Sequence, residues 1–570
     1  MEYGSAWLNQ RRLRIAAAMI RGTRNSLQPI NRLPPELLAI IFLMVQQHLP
    51  SFLPIPRAGV YKQRHHLEWL KVLHVCRHWR AVTATCARLW ATIDSDLAPS
   101  TFIRRSAKAP LTVYVGIRSG NIHQQDLETI LSQTRRIREL HIDAFRWQIS
   151  ATPLYELLKK PAKSLVSLTI LIDSDRNSTP HDLPPTLFSA EMPKLRQLCL
   201  AHVTSWPKRL FRDLTHVCLY QQDREFRPST SDFLDFLEGC PLLEELALID
   251  AGPTRSTAGD VPAVLSHRVV PLDHLRELNC GSMGYALPIT RLLSHLALPA
   301  STAMYFWGAP LQLPTEELSQ LIPDTNRTHL QNVRGIKECR LIRSPLSVGS
   351  SYQLVAVVDS IIYICGPFSP PEVVGMISHY LLSHVRTLVI KECLYTFTNI
   401  TDTMWRDVFG YFLTHLRLRP YYLTRSILSA LYPSQNPPRT GGDILCPSLI
   451  SVQIEGGNDA VATAYIALLA GARREGGSPI VDLKISPFHH HRLDPKLPSP
   501  SSSPSTHSTI SVSDSDDLPA EEEDATILTE RIPNVQVLKE QDVSMSPPRW
   551  PTRAYMWHLK HANRRTPARW

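Results

Sequence analysis

Leu195-Arg196-Gln197-Leu198-Cys199-Leu200 and Leu214-Thr215-His216-Val217-Cys218-Leu219 share one pattern: an apolar residue, two others, an apolar residue, one other, an apolar residue. The last three positions alternate inward, outward, inward, as a short strand with one buried face does. The same pattern stands at 137–142, 165–170, 243–248, 336–341, 385–390, 413–418 and 449–454, and 275–280 is a near match. Where the series is unbroken the starts fall about 19 to 36 residues apart, an internal repeat rather than chance.

Helical segments precede several of these strands. Thr230-Ser231-Asp232-Phe233-Leu234-Asp235-Phe236-Leu237-Glu238-Gly239-Cys240-Pro241 has a Ser or Thr cap, apolar residues on one side, a Gly stop and a Pro before the next strand. Residues 371–383 before Val385 and 402–412 before Leu413 repeat that order. Helix then strand, many times over, predicts parallel strands with helices on the outer side. The period is similar to that of leucine-rich repeats, which implies a curved solenoid over residues 99–485. Asn is mostly missing after the third apolar residue, so the resemblance implies an irregular curve. Two further strands are predicted. Leu111 to Ile117 starts the sheet, and Tyr352 to Cys365 reads as a strand pair around an Asp359-Ser360 turn.

Upstream, the chain reads Ile30-Asn31-Arg32-Leu33-Pro34-Pro35-Glu36-Leu37-Leu38-Ala39-Ile40-Ile41-Phe42, and later Leu73-His74-Val75-Cys76-Arg77-His78-Trp79-Arg80-Ala81-Val82. Pro34-Pro35 opens a helix whose first amides need no partner, and Leu37, Leu38, Ile40, Ile41, Phe42 and Val45 give it a wide apolar surface. Too few residues lie nearby to cover all of it, so part is expected to dock on another protein. These two blocks resemble an F-box, the helical module by which substrate receptors attach to the adaptor of cullin-RING (SCF) ubiquitin ligases. The link between them, with Pro50, Pro54, Pro56 and Gly59, is longer than is usual in that family. The resemblance implies an adaptor contact formed or supported by Leu33, Pro34, Pro35, Leu37, Leu38, Ile41, Phe42, Val75, Cys76 and Trp79.

The N-terminal part also holds the charge. The net charge is +10, and residues 1–110 carry sixteen Lys or Arg against five Asp or Glu, which accounts for the whole excess. A basic face of this kind steers an acidic protein or a phosphate backbone equally well. The adaptor of the resembled family is acidic, so nucleic acid is not required. Arg11, Arg12, Arg14, Arg21 and Arg24 sit on a predicted helix rich in Ala and Ile.

Chemistry is sparse. The chain has no G-x-S-x-G elbow, no G-x-x-x-x-G-K-[ST] loop, no H-E-x-x-H and no G-x-G-x-x-G after a strand. Its ten cysteines include no C-x-x-C pair and several lie inside the apolar hexamers, which points to a reducing compartment and no zinc site. His489, His490 and His491 are adjacent and form no fixed ligand set, and Asp250 reads as a solvated loop acid. No apolar run is long enough to span a bilayer.

The last residues differ again. Pro498 to Thr506 is low in complexity, residues 514–524 hold seven acids, and residues 549–569 hold six basic residues and no acid, a composition expected to stay disordered. Residues 532–538 are the exception and read as a final strand. Trp550, Tyr555, Trp557 and Trp570 read either as a docking peptide or as nothing specific.

The expected organisation is therefore a basic helical extension at 1–29, an F-box-like module at 30–98, an irregular leucine-rich-repeat solenoid at 99–485 and a low-complexity tail at 486–570. By resemblance the chain is a non-catalytic substrate-recognition subunit of an SCF-type ligase in cytoplasm or nucleus. Its partners would be the adaptor, through it a cullin, and an unknown target, with no cofactor, no metal and no membrane. The alternative is a leucine-rich-repeat scaffold or a nucleic-acid-associated protein with a basic N terminus.

Overall fold

The computed structural model describes residues 2–48, 65–94, 99–116, 124–145, 158–173, 181–182, 187–207, 210–254, 268–281, 287–307, 329–334, 337–343, 352–357, 361–366, 385–391, 406, 413–419, 424–432, 444–455, 460–486 and 534–537. The chain divides between Thr254 and Arg255 into two compact units, inside the span that the sequence reads as one body.

The first unit opens with helices: α1 (Glu2–Ser26), α2 (Pro35–His48) and α3 (Arg77–Thr85), with 3-10 turns at Pro29–Arg32, His65–His74 and Ala87–Trp90. A parallel sheet follows. Its strands are β1 (Thr92–Asp94), β2 (Leu111–Gly116), β3 (Ile137–Phe145), β4 (Ser167–Asp173), β6 (Gln197–Ala201), β8 (His216–Tyr220) and β9 (Glu245–Ile249), with β5 (His181–Asp182) and β7 (Val203–Ser205) paired separately. Register explains the hexamers. Ile93, Val113, Leu140, Leu168, Leu198, Val217 and Leu246 align across the seven strands, and all are buried. A second buried row runs Val115, Ile142, Ile170, Leu200, Leu219, Leu248. The first apolar residue of the hexamer, such as Leu165, Leu195, Leu214 or Leu243, is buried just before its strand begins.

Helix α4 (Pro99–Arg105) follows β1, α5 (Gln124–Leu131) follows β2 and α6 (Thr230–Glu238) follows β8. In α6 the Ser229 hydroxyl caps the Asp232 amide at 3.1 Å and Gly239 closes the helix, close to the sequence reading. The loops after β8 and β9 are tied together by Arg227, which donates to the Asp250 carboxylate at 2.7 Å, the Asp250 carbonyl at 2.6 Å and the Gln222 carbonyl. Asp250, read as a solvated acid, is thus half-buried in an ion pair and has a positive φ of 47°.

The second unit holds β11 (Glu277–Gly281), β13 (Ala303–Trp307), β14 (Glu338–Arg343), β15 (Tyr352–Val357), β16 (Ile361–Gly366), β17 (Thr387–Lys391), β18 (His415–Arg419), β19 (Ser451–Glu455), β20 (Asp482–Ser486) and β21 (Asn534–Val537), with β10 (Val270–Pro271) and β12 (Leu296–Ala297) paired apart. Its described helices are α7 (Leu287–Ser294), α8 (Gln331–Arg334), α9 (Thr424–Leu431) and α10 (Ala460–Glu475). The predicted strand pair is present as antiparallel β15 and β16, and the predicted final strand pairs in parallel with β20. The Asp359-Ser360 turn and most of the two helices read at 371–383 and 402–412 lie outside the described residues, as do the histidine run and the tail aromatics.

The strand pairing of the second unit overturns the solenoid expectation. A stack of like units pairs its strands in chain order. In the second unit β13 pairs with β16, β14 pairs with β17, and β15 lies antiparallel between β14 and β16. The hexamers therefore supply strands to a large, mainly parallel α/β sheet, and the expected N-terminal F-box-like module with a leucine-rich-repeat solenoid is not the architecture seen. The pattern misled because it encodes only a buried strand. What joins one strand to the next differs: α6 lies between β8 and β9, whereas the described residues between β6 and β8 contain no α-helix.

One buried charge ties α10 to the turn before β19. Arg473 on α10 is 0% exposed and donates from both terminal nitrogens, at 2.7 Å each, to the carbonyls of Leu445 and Cys446. Burial lowers its pKa and pushes the Cys446 thiol up to about 12. Cys446 sits at φ 47°, so the arginine fastens a strained turn that leads into β19. Arg473→Ala removes both bonds, leaving the Cys446 carbonyl with the Leu449 amide alone, and opens a cavity. It is expected to lower the unfolding free energy by about 3 kcal/mol in urea titration. The same change at exposed Arg474 is expected to stay within about 0.5 kcal/mol.

Cys76, Cys86, Cys199, Cys218, Cys240, Cys280, Cys339 and Cys446 are free, and Cys199, Cys240, Cys280, Cys339 and Cys446 are buried. Burial raises the pKa of each of these five thiols, so they behave as small hydrophobes. Among the described residues no helix is long and apolar enough to cross a membrane, and no group of His, Cys, Asp and Glu could hold a metal ion.

Candidate docking surface on the N-terminal helices

Helix α2 starts where the prolines predict, with the Leu37 and Leu38 amides donating to the Pro34 carbonyl at 3.0 and 3.1 Å. Leu38 and Phe42, four residues apart, point inward and are 0% and 2% exposed. Phe42 packs on Trp79 of α3 with ring centroids 5.0 Å apart. Cys76 caps α3, its Sγ accepting from the Trp79 amide at 3.4 Å.

Asn31 is the fastener of this cluster. Its Oδ1 accepts from the Trp79 indole N–H at 2.6 Å, while its Nδ2 donates to the Asn25 carbonyl at 2.6 Å, joining the end of α1 to α3. Asn31→Ala removes both bonds and leaves a half-buried indole donor unpaired. The expected cost is about 1 to 2 kcal/mol, read from chemical unfolding followed by tryptophan fluorescence.

The helices are joined firmly to the sheet. Gln46 of α2 donates to the Leu89 carbonyl at 3.1 Å, and the Trp90 indole donates to the Thr83 carbonyl at 2.8 Å. Trp90 meets Trp69 and Phe102 edge-on, each at 5.2 Å, and the Arg105 guanidinium lies 4.2 Å above its ring. Ala91 then leads directly into β1, its carbonyl accepting from the Thr112 amide of β2 at 3.0 Å. A partner held on these helices is therefore held at a fixed attitude to the first sheet.

The opposite side of α2 is bare. Leu37, Ile40, Met44 and Val45 are 40 to 53% exposed, and the spacing of Leu37, Ile40 and Met44 puts those three on one stripe of the helix. Ile41 lies half-buried beside them. Val75, just before α3, is 55% exposed. Large apolar side chains left bare on consecutive turns make this side a candidate docking surface.

The ten residues named from the sequence therefore separate. Pro34, Pro35, Leu37 and Val75 are exposed; Leu33, Ile41, Cys76 and Trp79 are half-buried; Leu38 and Phe42 are core. Ile40 and Met44 were missed. Their spacing from Leu37 was visible, but a helix apolar on all sides does not show which side faces inward until α3 supplies Trp79.

A cluster of titratable side chains among the described residues lies elsewhere, on the sheet. Glu139 hydrogen-bonds His141, which together with the neighbouring Thr112 and Arg138 holds its carboxyl below the ordinary range, and Tyr114 stacks on His141 at 4.6 Å. These contacts satisfy one another and form no recognisable catalytic arrangement. The chain matches no family model and no curated protein.

Proposed function

We propose that this chain is a substrate-recognition subunit of an SCF-type ubiquitin ligase, working in the cytoplasm or nucleus. The observation that carries the reading is the bare stripe Leu37, Ile40 and Met44, on the helix that the block resembling an F-box opens. In this role the outer side of α2, with Val75, docks on the ligase adaptor and through it on a cullin. The sheets carry the target protein, and the chemistry of transfer belongs to other subunits. The tie between helices and sheet suits the task, because transfer requires the acceptor lysine to be presented in a fixed place.

The test is gel filtration of the full chain mixed with purified adaptor. Co-elution in a one-to-one complex supports the reading. Separate elution at micromolar concentrations of both contradicts it.

A further inference from the structure

Helix α1 raises a different question. Every described side chain from Gln10 to Arg24 is exposed, round the whole circumference of four turns. Leu13, Ile15, Met19 and Ile20 are 72, 53, 66 and 70% exposed, and a Cβ added at Gly22 would meet nothing within 4 Å. Its last turn is fastened to the helical module through Asn31, and none of the described side chains from Gln10 to Arg24 is buried. Four such side chains spread round one helix are costly to leave in water, and a surface of this kind is one that a partner covers.

Charge says what that partner is like. Between Tyr3 and Pro35 there are six arginines and no acid. A second copy of α1 would bring like charge against like charge, and is excluded on that ground. A phosphate backbone would pair with the arginines but offer nothing to Leu13, Ile15, Met19 and Ile20.

The arrangement of residues separates a bilayer from a protein groove. Leu13, Ala16, Ala17 and Ile20 share one side, Met19 lies beside it and Ile15 further round next to Arg11, while Arg14 and Arg21 flank the other edge. Arg12 and Arg24, however, stand within the apolar sector, four and seven residues from its members. On a membrane surface that sector faces hydrocarbon, and two guanidinium groups would be driven into it. A groove that surrounds the helix can meet apolar residues and arginines on all sides.

We propose that α1 is a ligand helix for an acidic helix-binding protein of the calcium-loaded EF-hand kind, whose apolar, Met-rich groove is rimmed by carboxylates. This surface is separate from the α2 stripe and does not depend on the ligase reading.

The probe is calcium-loaded calmodulin, titrated against the full chain with and without EGTA, beside vesicles of phosphatidylserine and phosphatidylcholine. The expected result is calcium-dependent binding, weakened at least about tenfold by Met19→Ser with Ile20→Ser and again by Arg11→Gln with Arg14→Gln, but kept by Leu37→Ser. These substitutions lie on exposed positions, and circular dichroism of the full chain confirms that each variant is folded. Absence of calmodulin binding, binding unaffected by EGTA, or preferential binding to the vesicles overturns the proposal.

Discussion

A chain carrying Leu37→Ser, Ile40→Ser and Met44→Ser is expected to unfold at the wild-type midpoint and to lose adaptor affinity by on the order of a hundredfold. The three side chains are 47, 47 and 53% exposed, so the folded chain alone gives up little when they are shortened. In a complex each has about half of its surface still to bury. At the usual worth of apolar burial that amounts to about 1 kcal/mol apiece, or about 3 kcal/mol together. Titration calorimetry on wild type and variant measures the loss directly, and thermal unfolding supplies the control. A variant that keeps full affinity removes α2 from the interface.

Phe42→Ala is expected to have the opposite profile. Phe42 is 2% exposed and its ring fills the space against Trp79, so truncation leaves a cavity that neighbouring helices close only in part. The expected cost is about 3 to 5 kcal/mol of stability, with the emission of the tryptophans shifted as Trp79 loses its neighbour. Leu38→Ala, 0% exposed, belongs to the same class, at about 2 to 5 kcal/mol. Any loss of adaptor binding in these two variants follows from loss of folded helices. Leu37 and Leu38, adjacent and alike in sequence, thus separate into a surface residue and a core residue.

The strands were legible because the hexamer states its own buried face. Nine of the ten hexamers yield a strand beginning two residues in, such as Thr387–Lys391, whereas Ile137–Phe145 starts at the first apolar residue. The start of α2 and the cap region of α6 were legible for similar local reasons, a proline pair and a serine followed by an acid. The order of strands in the second unit was not. The pairing of β13 with β16 is set by contacts across more than fifty residues, which no local pattern carries. The side of α2 that faces solvent was hidden for the same kind of reason, since it depends on where Trp79 arrives. Arg473 gave no signal either: an arginine at the end of an alanine-rich helix reads as a charge favourable to the helix dipole, and only the fold brings Leu445 and Cys446 to it.

The most direct test of the central claim is hydrogen exchange of the full chain with and without saturating adaptor. Slowed exchange is expected in Pro35–His48 and at the start of Arg77–Thr85, with β17 to β20 unchanged. Binding that protects the sheets and leaves α2 exchanging as in the free chain would contradict it.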